Sequence, residues 1–246
     1  MKVVVLGAGP AGLSASLALS RSGHEVVLVE RDELVPTDSV AEAFAARRSV
    51  SQFLLPHGFL ARSSKVLREG APDVYDALLD AGAVEIDMCT RMAPADRDPD
   101  LIGLAARRPL IEWALTRALE SEPNVEVRER AQADSIVGRS GVVEGVIASG
   151  ERIRADLVID ATGRGSRIPA WIDDVGGRHL EERSTLCGTM GYARYYRLLE
   201  GVEIPIVAPV TATGDTGYMS FGIFWEDNGI FAAVLTTPAW DRDLRS

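Results

Sequence analysis

The chain has 246 residues, enough for one large domain or two small ones, and its 46% hydrophobic and 25% charged content is that of a globular protein with a sizeable core. A net charge of −10, from 36 acidic against 26 basic residues, argues against a nucleic-acid binder, which needs a basic face. No apolar stretch reaches the ~18–20 residues that span a bilayer; the chain opens directly on a strand rather than a signal peptide, and Cys89 and Cys187 belong to no CxxC, so a cytoplasmic, reducing setting is expected.

The first predicted element is a strand, Val3-Val4-Val5-Leu6, which leads into Gly7-Ala8-Gly9-Pro10-Ala11-Gly12, an amphipathic helix and a second apolar strand, Val26 to Val29, ending in Glu30. This order is that of a dinucleotide site. Gly7 permits the turn off the strand, Gly9 lets the backbone approach a pyrophosphate, and Gly12 lets the helix lie close to the strand. The helix N-terminus then offers N–H groups and partial positive charge to phosphates. Glu30 stands 18 residues past Gly12, where a carboxylate accepts from ribose hydroxyls and repels a 2′-phosphate. The unit alone does not separate FAD from NAD.

Residues 31–56 read as a long irregular segment. Residues 59–81 read as a helix in two pieces, broken at Gly70-Ala71-Pro72, with Val74, Leu78 and Leu79 on one face and Gly82 as its C-cap. A strand at 83–88 and a loop over 89–100 follow. Pro109 fits a first helical turn, and Pro123-Asn124 ends that helix. Short strands are expected at 124–129, 132–138, 142–148 and 151–154 as an antiparallel meander, then a strand at 156–160 that runs into Ala161-Thr162-Gly163. Beyond about 183 the chain turns β-rich, at 186–197, 204–212, 217–225 and 229–237. An NAD dehydrogenase would continue α-β-α-β, whereas here a meander stands where a crossover helix would be.

With these elements in order, the sequence resembles the FAD-dependent oxidoreductases of the para-hydroxybenzoate hydroxylase superfamily, a group that includes geranylgeranyl reductases, flavin halogenases and aromatic monooxygenases. The resemblance covers about residues 1–200. Gly7 to Gly12 with Glu30-Arg31 resembles the family's ADP-binding unit. Arg47-Arg48-Ser49-Val50-Ser51-Gln52 is similar to an R-x-G-V-P-Q segment of one bacterial branch, departing from it at Ser49 and Ser51. Arg107-Arg108-Pro109-Leu110-Ile111-Glu112-Trp113 resembles an R-R-P-L-L-E-W helix start, and Asp160 to Arg167 a D-A-T-G-R-G-S-R strand end.

The resemblance implies a mixed α/β fold: a Rossmann-like FAD-binding domain with a β-meander crossover over 1–182, and the start of an antiparallel β-rich substrate domain over 183–246, with 50–100 contributing to the substrate side. It implies a FAD site made by Gly7, Gly9, Pro10, Ala11, Gly12, Glu30, Arg31, Arg47, Arg108, Ala133, Asp160, Thr162 and Gly163. Arg47 and Arg108 would supply cations to the diphosphate, and Ala133 a main-chain contact to adenine. NAD(P)H is one reductant that the resemblance allows. However, Thr162 stands where hydroxylases that bind pyridine nucleotide usually carry aspartate, as it does in the reductase and halogenase branches.

No residue compels a catalytic assignment. His57 is the one candidate, as a proton donor or flavin-side contact, against a purely structural reading. Trp225 reads as core more readily than as a cavity wall, Lys65 is on a helix rather than a strand end, and His24, His57 and His179 have no metal-ligand spacing. The family's Gly-Asp segment, which holds the ribityl chain, is not found, and Gly214-Asp215 reads as a hairpin turn. The chain is therefore expected to be the N-terminal part of a longer protein and to retain FAD weakly. The function expected is a FAD-dependent monooxygenase or reductase of a small organic substrate. The alternatives are a catalytically incomplete ADP-binding module and an NAD-dependent dehydrogenase.

Overall fold

The computed structural model describes residues 1–36, 38–45, 53, 55–89, 92–93, 96–202 and 210–241. In chain order the elements are β1 (Lys2–Leu6), α1 (Pro10–Arg21), β2 (Glu25–Val29), α2 (Val40–Ala43), β3 (Gly58–Phe59), α3 (Ala61–Gly70), α4 (Pro72–Asp80), β4 (Val84–Asp87), β5 (Ile102–Ala105) and α5 (Arg108–Glu120). They continue with β6 (Val125–Arg128), β7 (Ala133–Arg139), β8 (Val142–Ala148), β9 (Glu151–Arg154), β10 (Leu157–Asp160), α6 (Ile168–Asp174), β11 (Thr189–Arg197), β12 (Val210–Asp215), β13 (Ser220–Trp225) and β14 (Ile230–Pro238). The fold is mixed α/β, and its described residues form two compact units, one within Met1–Ser51 and Ile111–Arg183, the other within Gln52–Leu110 and Ser184–Ser246.

The first unit is built on a parallel sheet in the order β10-β1-β2-β6, with Val4 facing Val27 on one side and Val158 on the other. Val3, Val4, Val5, Val26, Val27 and Leu28 are fully buried, as continuous apolar runs require when a parallel sheet is covered on both faces. Each such side chain contributes ~1.5–3 kcal/mol over exposure. Helix α1 starts with Pro10 in its first turn after Gly9 as N-cap, and lies against β1 and β2. The antiparallel β7-β8-β9 meander sends Ile136, Val146 and Ile153 into one core with Val4, Leu6, Val27, Val29 and Trp171 of α6. The meander thus covers a sheet face where a crossover helix was absent from the pattern. One strand moves: residues 125–128 do not open the meander but add to β2 as the parallel edge strand. Their alternation is compatible with either pairing, and only the partner decides.

The second unit holds an antiparallel β3-β5-β4 sheet and an antiparallel β11-β14-β13-β12 sheet. Ile86, Ala105 and Trp225 form a small core with Val84, Leu198 and Phe231 beside it. Helices α3 and α4 meet at Ala71, as Gly70-Ala71-Pro72 predicts. The buried face of α4 is Val74, Tyr75 and Leu78, with Leu79 only half-buried. Tyr75 is tolerated inside because its hydroxyl donates to Glu85 at 2.6 Å. Gly82 ends the helix with φ of +95°, in the left-handed region that favours glycine. Strand β5 is missing from the sequence reading because Ile-Gly-Leu-Ala is too short to show a period. Gly214 and Asp215 are a further correction. They pair with Phe221 and Ser220 as the end of β12, and the turn itself is residues 216–219, closed by the Asp215 carboxylate accepting from Gly217 N–H at 2.6 Å. Among the described residues no helix is long and apolar enough to cross a membrane, and no group of three or more potential ligands could hold a metal ion.

Candidate functional site

In the first unit the glycine turn, the end of β2 and the end of β10 converge. Gly7 adopts φ of +92°, and its N–H donates to Val29 O at 2.8 Å. A Cβ on Gly7 would stand 2.7 Å from Ala161 O, and one on Gly12 would stand 1.8 Å from Gly7 O and 3.3 Å from the Ala161 Cβ. Both glycines are thus required by close approach of backbone to backbone. The Leu13 N–H already bonds Gly9 O at 2.9 Å, so the helix begins at the turn and aims its first N–H groups there.

Glu30 is 4% exposed. Its Oε2 accepts from Ala8 N–H at 2.6 Å and its Oε1 from Asp32 N–H at 3.0 Å, so the carboxylate is oriented by the turn it serves. Ala131 N–H donates to Glu30 O at 2.9 Å, which brings the start of the meander to the same edge; Ala133 follows as the first residue of β7. At the end of β10, Asp160 Oδ1 accepts from Thr162 N–H at 3.0 Å and from the Thr162 hydroxyl at 2.6 Å, and Oδ2 from the Ser166 hydroxyl. Asp160 therefore shapes the Ala161-Thr162-Gly163 bend, and Gly163 takes φ of +80°. Arg31 is largely exposed, 3.9 Å from Asp32. Arg47 lies outside the described residues, and Arg108, half-buried, opens α5 within the span of the second unit.

The second unit holds a cavity of about 190 Å³ walled by His57, Phe59, Ile86, Leu104, Phe224 and Trp225 among others. The His57 Nδ1 is 2.7 Å from Leu55 O; since a carbonyl only accepts, Nδ1–H is the donor. Trp225 is both core and cavity wall, with its ring edge-on to Phe231 at 6.0 Å. Beside it runs a group of charges that the sequence reading passed over. Asp227 is fully buried, and Arg107 reaches it with Nη2 at 2.5 Å, Nε at 3.0 Å and its main-chain N–H at 2.8 Å. Burial raises the Asp227 carboxyl, but the Arg107 bonds and charge hold it below the ordinary range. The signal for this pair was Glu-Asp-Asn-Gly following an apolar strand, which reads as a surface turn until Arg107 is placed beside it.

Glu226 is 1% exposed, and neither carboxyl oxygen has a hydrogen-bond partner. Burial, and then the negative Asp227, push its pKa up to about 9; the main-chain N–H of His57, which faces it short of full hydrogen-bond geometry, and the Arg107 charge offset only part of this. The acid is therefore neutral at pH 7. Its folded value exceeds the ordinary 4.5, so its contribution to stability is fully present below about pH 4.5 and is lost as pH rises through about 9. At pH 7 the Glu226→Gln protein is expected to be more stable than the parent by on the order of 3 kcal/mol, with the difference vanishing near pH 4.5. Urea melts at the two pH values check this; parallel profiles would mean an ionised carboxylate in the fold.

Three comparisons bear on this geometry. A family model described as glucose inhibited division protein A matches residues 2–185. Protein Rv3254 of Mycobacterium tuberculosis is 29% identical over 256 residues, covering 95% of this chain and 52% of that protein. Digeranylgeranylglycerophospholipid reductase of Methanothrix thermoacetophila is 30% identical over 175 residues, covering 69% of this chain and 41% of that one. Among solved structures, PqsL, a probable FAD-dependent monooxygenase from Pseudomonas aeruginosa, shares the fold with a TM-score of 0.73 at 14% identity, over 100% of this chain and 62% of that one. The chain spans about half the length of the curated relatives it matches.

Proposed function

This chain belongs to the glucose inhibited division protein A family, within the FAD-dependent oxidoreductases, and from that premise we propose that it carries the adenosine diphosphate half of a FAD site and part of a substrate chamber for a small organic molecule. One observation carries the reading: the close backbone approach of Gly7, Gly12 and Ala161, which leaves no room for a Cβ and brings the start of α1 to the ends of β1 and β10. Gly9, Ala11 and Gly12 would present N–H groups to the diphosphate, while Pro10, which has none, fixes the first helical turn. Glu30, oriented by Ala8 and Asp32, would accept from ribose hydroxyls. Ala133 would meet the adenine edge, and Asp160, Thr162 and Gly163 would close the turn over the nucleotide, while Arg31 and Arg47 would supply positive charge. FAD, when bound, supplies the electron-transfer chemistry of oxygenation or reduction. In this reading residues 1–182 make the nucleotide domain and 183–246 the partial substrate domain, with 50–100 adding to the latter and His57 the candidate for a proton-bearing contact.

Titration of the chain with FAD, ADP and NADH tests the proposal. FAD and ADP are expected to bind within about tenfold of each other and to compete, because the handle they share supplies most of the contact. Binding of NADH tighter than either would overturn it. Among the described residues, Gly214 and Asp215 end β12 rather than open a helix. That observation favours a second reading, a nucleotide-binding module without turnover, which predicts binding with no oxygen consumption on addition of FAD and NAD(P)H.

A further inference from the structure

Strand β11 is an edge of the antiparallel β11-β14-β13-β12 sheet. It pairs with β14 without a break, from Thr189 opposite Pro238 to Arg197 opposite Ile230. Just beyond the two ends, Ala239 N–H donates to Gly188 O at 2.8 Å and Leu198 N–H to Gly229 O at 3.0 Å. Antiparallel bonding alternates along a strand, so the even-numbered residues of β11 bond β14, and the odd-numbered ones, Thr189, Gly191, Ala193, Tyr195 and Arg197, aim N–H and C=O away from the sheet. Among the described residues these main-chain groups of Gly191, Ala193, Tyr195 and Arg197 have no partner. An exposed edge is normally blunted by a bulge, a proline or a lysine. The opposite edge, β12, carries a bulge between Val210 and Ala212, whereas β11 has none and holds neither proline nor lysine. The row that runs from β11 across one sheet face, Tyr192, Leu235 and Phe221, is also exposed, at 37%, 42% and 46%.

We propose that β11 is a docking strand for a second copy of the chain, which extends the sheet by antiparallel β11–β11 pairing about a two-fold axis at Ala193. An axis perpendicular to the sheet keeps every side chain on its own face, and centring it on Ala193 overlaps the whole of Thr189–Arg197. The outward groups then meet one another: Ala193 faces Ala193, Gly191 faces Tyr195, and Thr189 faces Arg197 of the second copy. The side chains agree with this register. Arg194 has no ion-pair partner among the described residues, and it would stand opposite Tyr192 of the second copy, a cation–π pair made twice by symmetry. Met190 would stand opposite Tyr196, a sulfur–aromatic pair. Moving the axis to Arg194 sets two arginines face to face, which is destabilising. Moving it to Tyr192 leaves Arg197 unpaired and breaks the cation–π pairs.

Sedimentation equilibrium of the full chain without nucleotide tests this. A monomer–dimer equilibrium is expected with Kd on the order of 10 μM, as suits a small interface. Ala193→Pro removes an outward N–H that β14 does not use, so the fold is kept and the dimer weakens by at least about tenfold. Tyr192→Glu puts a carboxylate opposite Arg194 and is expected to tighten the dimer by about fivefold, whereas Tyr192→Lys opposes two cations and weakens it by about tenfold. These two variants decide the matter even if Ala193→Pro fails to fold. Amide exchange reads the register directly. The N–H groups of Gly191, Ala193 and Tyr195 should exchange more slowly as concentration rises, while those of Tyr192 and Arg194, bonded to β14 throughout, stay unchanged. A chain that stays monomeric to about 200 μM, a dimer indifferent to these substitutions, or exchange along β11 that ignores concentration would each overturn the proposal.

Discussion

Asp227→Ala is expected to destabilise the protein by about 3–5 kcal/mol, as is usual when one member of a buried ion pair is removed. Asp227 has no exposed side-chain surface, and the Arg107 side chain is 19% exposed. The variant leaves the guanidinium in a low-dielectric site without its counter-charge, and leaves the Arg107 main-chain N–H, 2.8 Å from the lost carboxylate, without that acceptor. The pair also joins two parts of the second unit: Arg107 lies between β5 and α5, and Asp227 in the turn between β13 and β14. Next to it Asn228 donates from Nδ2 to Ala81 O at 2.8 Å, clasping the end of α4. Asp227→Asn should cost less, since an amide keeps one acceptor. The double variant Arg107→Met with Asp227→Leu should recover most of the loss, because paired apolar replacements of buried ion pairs are often near neutral. Urea melts of the four proteins check this. A single-variant loss below about 1 kcal/mol would place the pair in the exposed class.

Gly12→Ala is expected to abolish nucleotide binding, with FAD and ADP affinity falling by about a hundredfold or more, near 2.7 kcal/mol. The added Cβ would lie 1.8 Å from Gly7 O, and both sides of that contact are backbone, so no rotamer change relieves it. Helix α1 must withdraw from the turn, and the N–H groups proposed to meet the phosphates withdraw with it. Overpacking of this kind also costs about 1–3 kcal/mol of stability. Gly23→Ala is the control. Its φ is positive, +82°, but there is open space where its Cβ would stand, so it should lose about 1 kcal/mol of stability and no affinity. Titration of both variants decides whether the turn is a ligand cradle or only a tight connection.

Much of the first unit was legible because its signals are local. Apolar runs of four residues, three glycines at fixed spacing and an acid 18 residues on each speak for themselves. The short strands of the meander were legible from alternation, though their partners were not: nothing in Val-Glu-Val-Arg says whether it pairs with β2 or β7. Ile102–Ala105 escaped because a four-residue strand containing glycine has no measurable period.

The polar group beside Trp225 escaped for a different reason. Arg107 and Asp227 are 120 positions apart, and His57 and Trp225 lie further apart still. Each alone is an ordinary surface or core residue. By itself the sequence determined the β-α-β unit, its three spaced glycines and the change to β-rich structure near residue 183, since these depend on spacing along the chain. Only the tertiary structure decided that Glu226 is neutral and Asp227 charged. The two acids are neighbours of identical chemistry, and what separates them is that folding gives one of them an arginine and leaves the other desolvated.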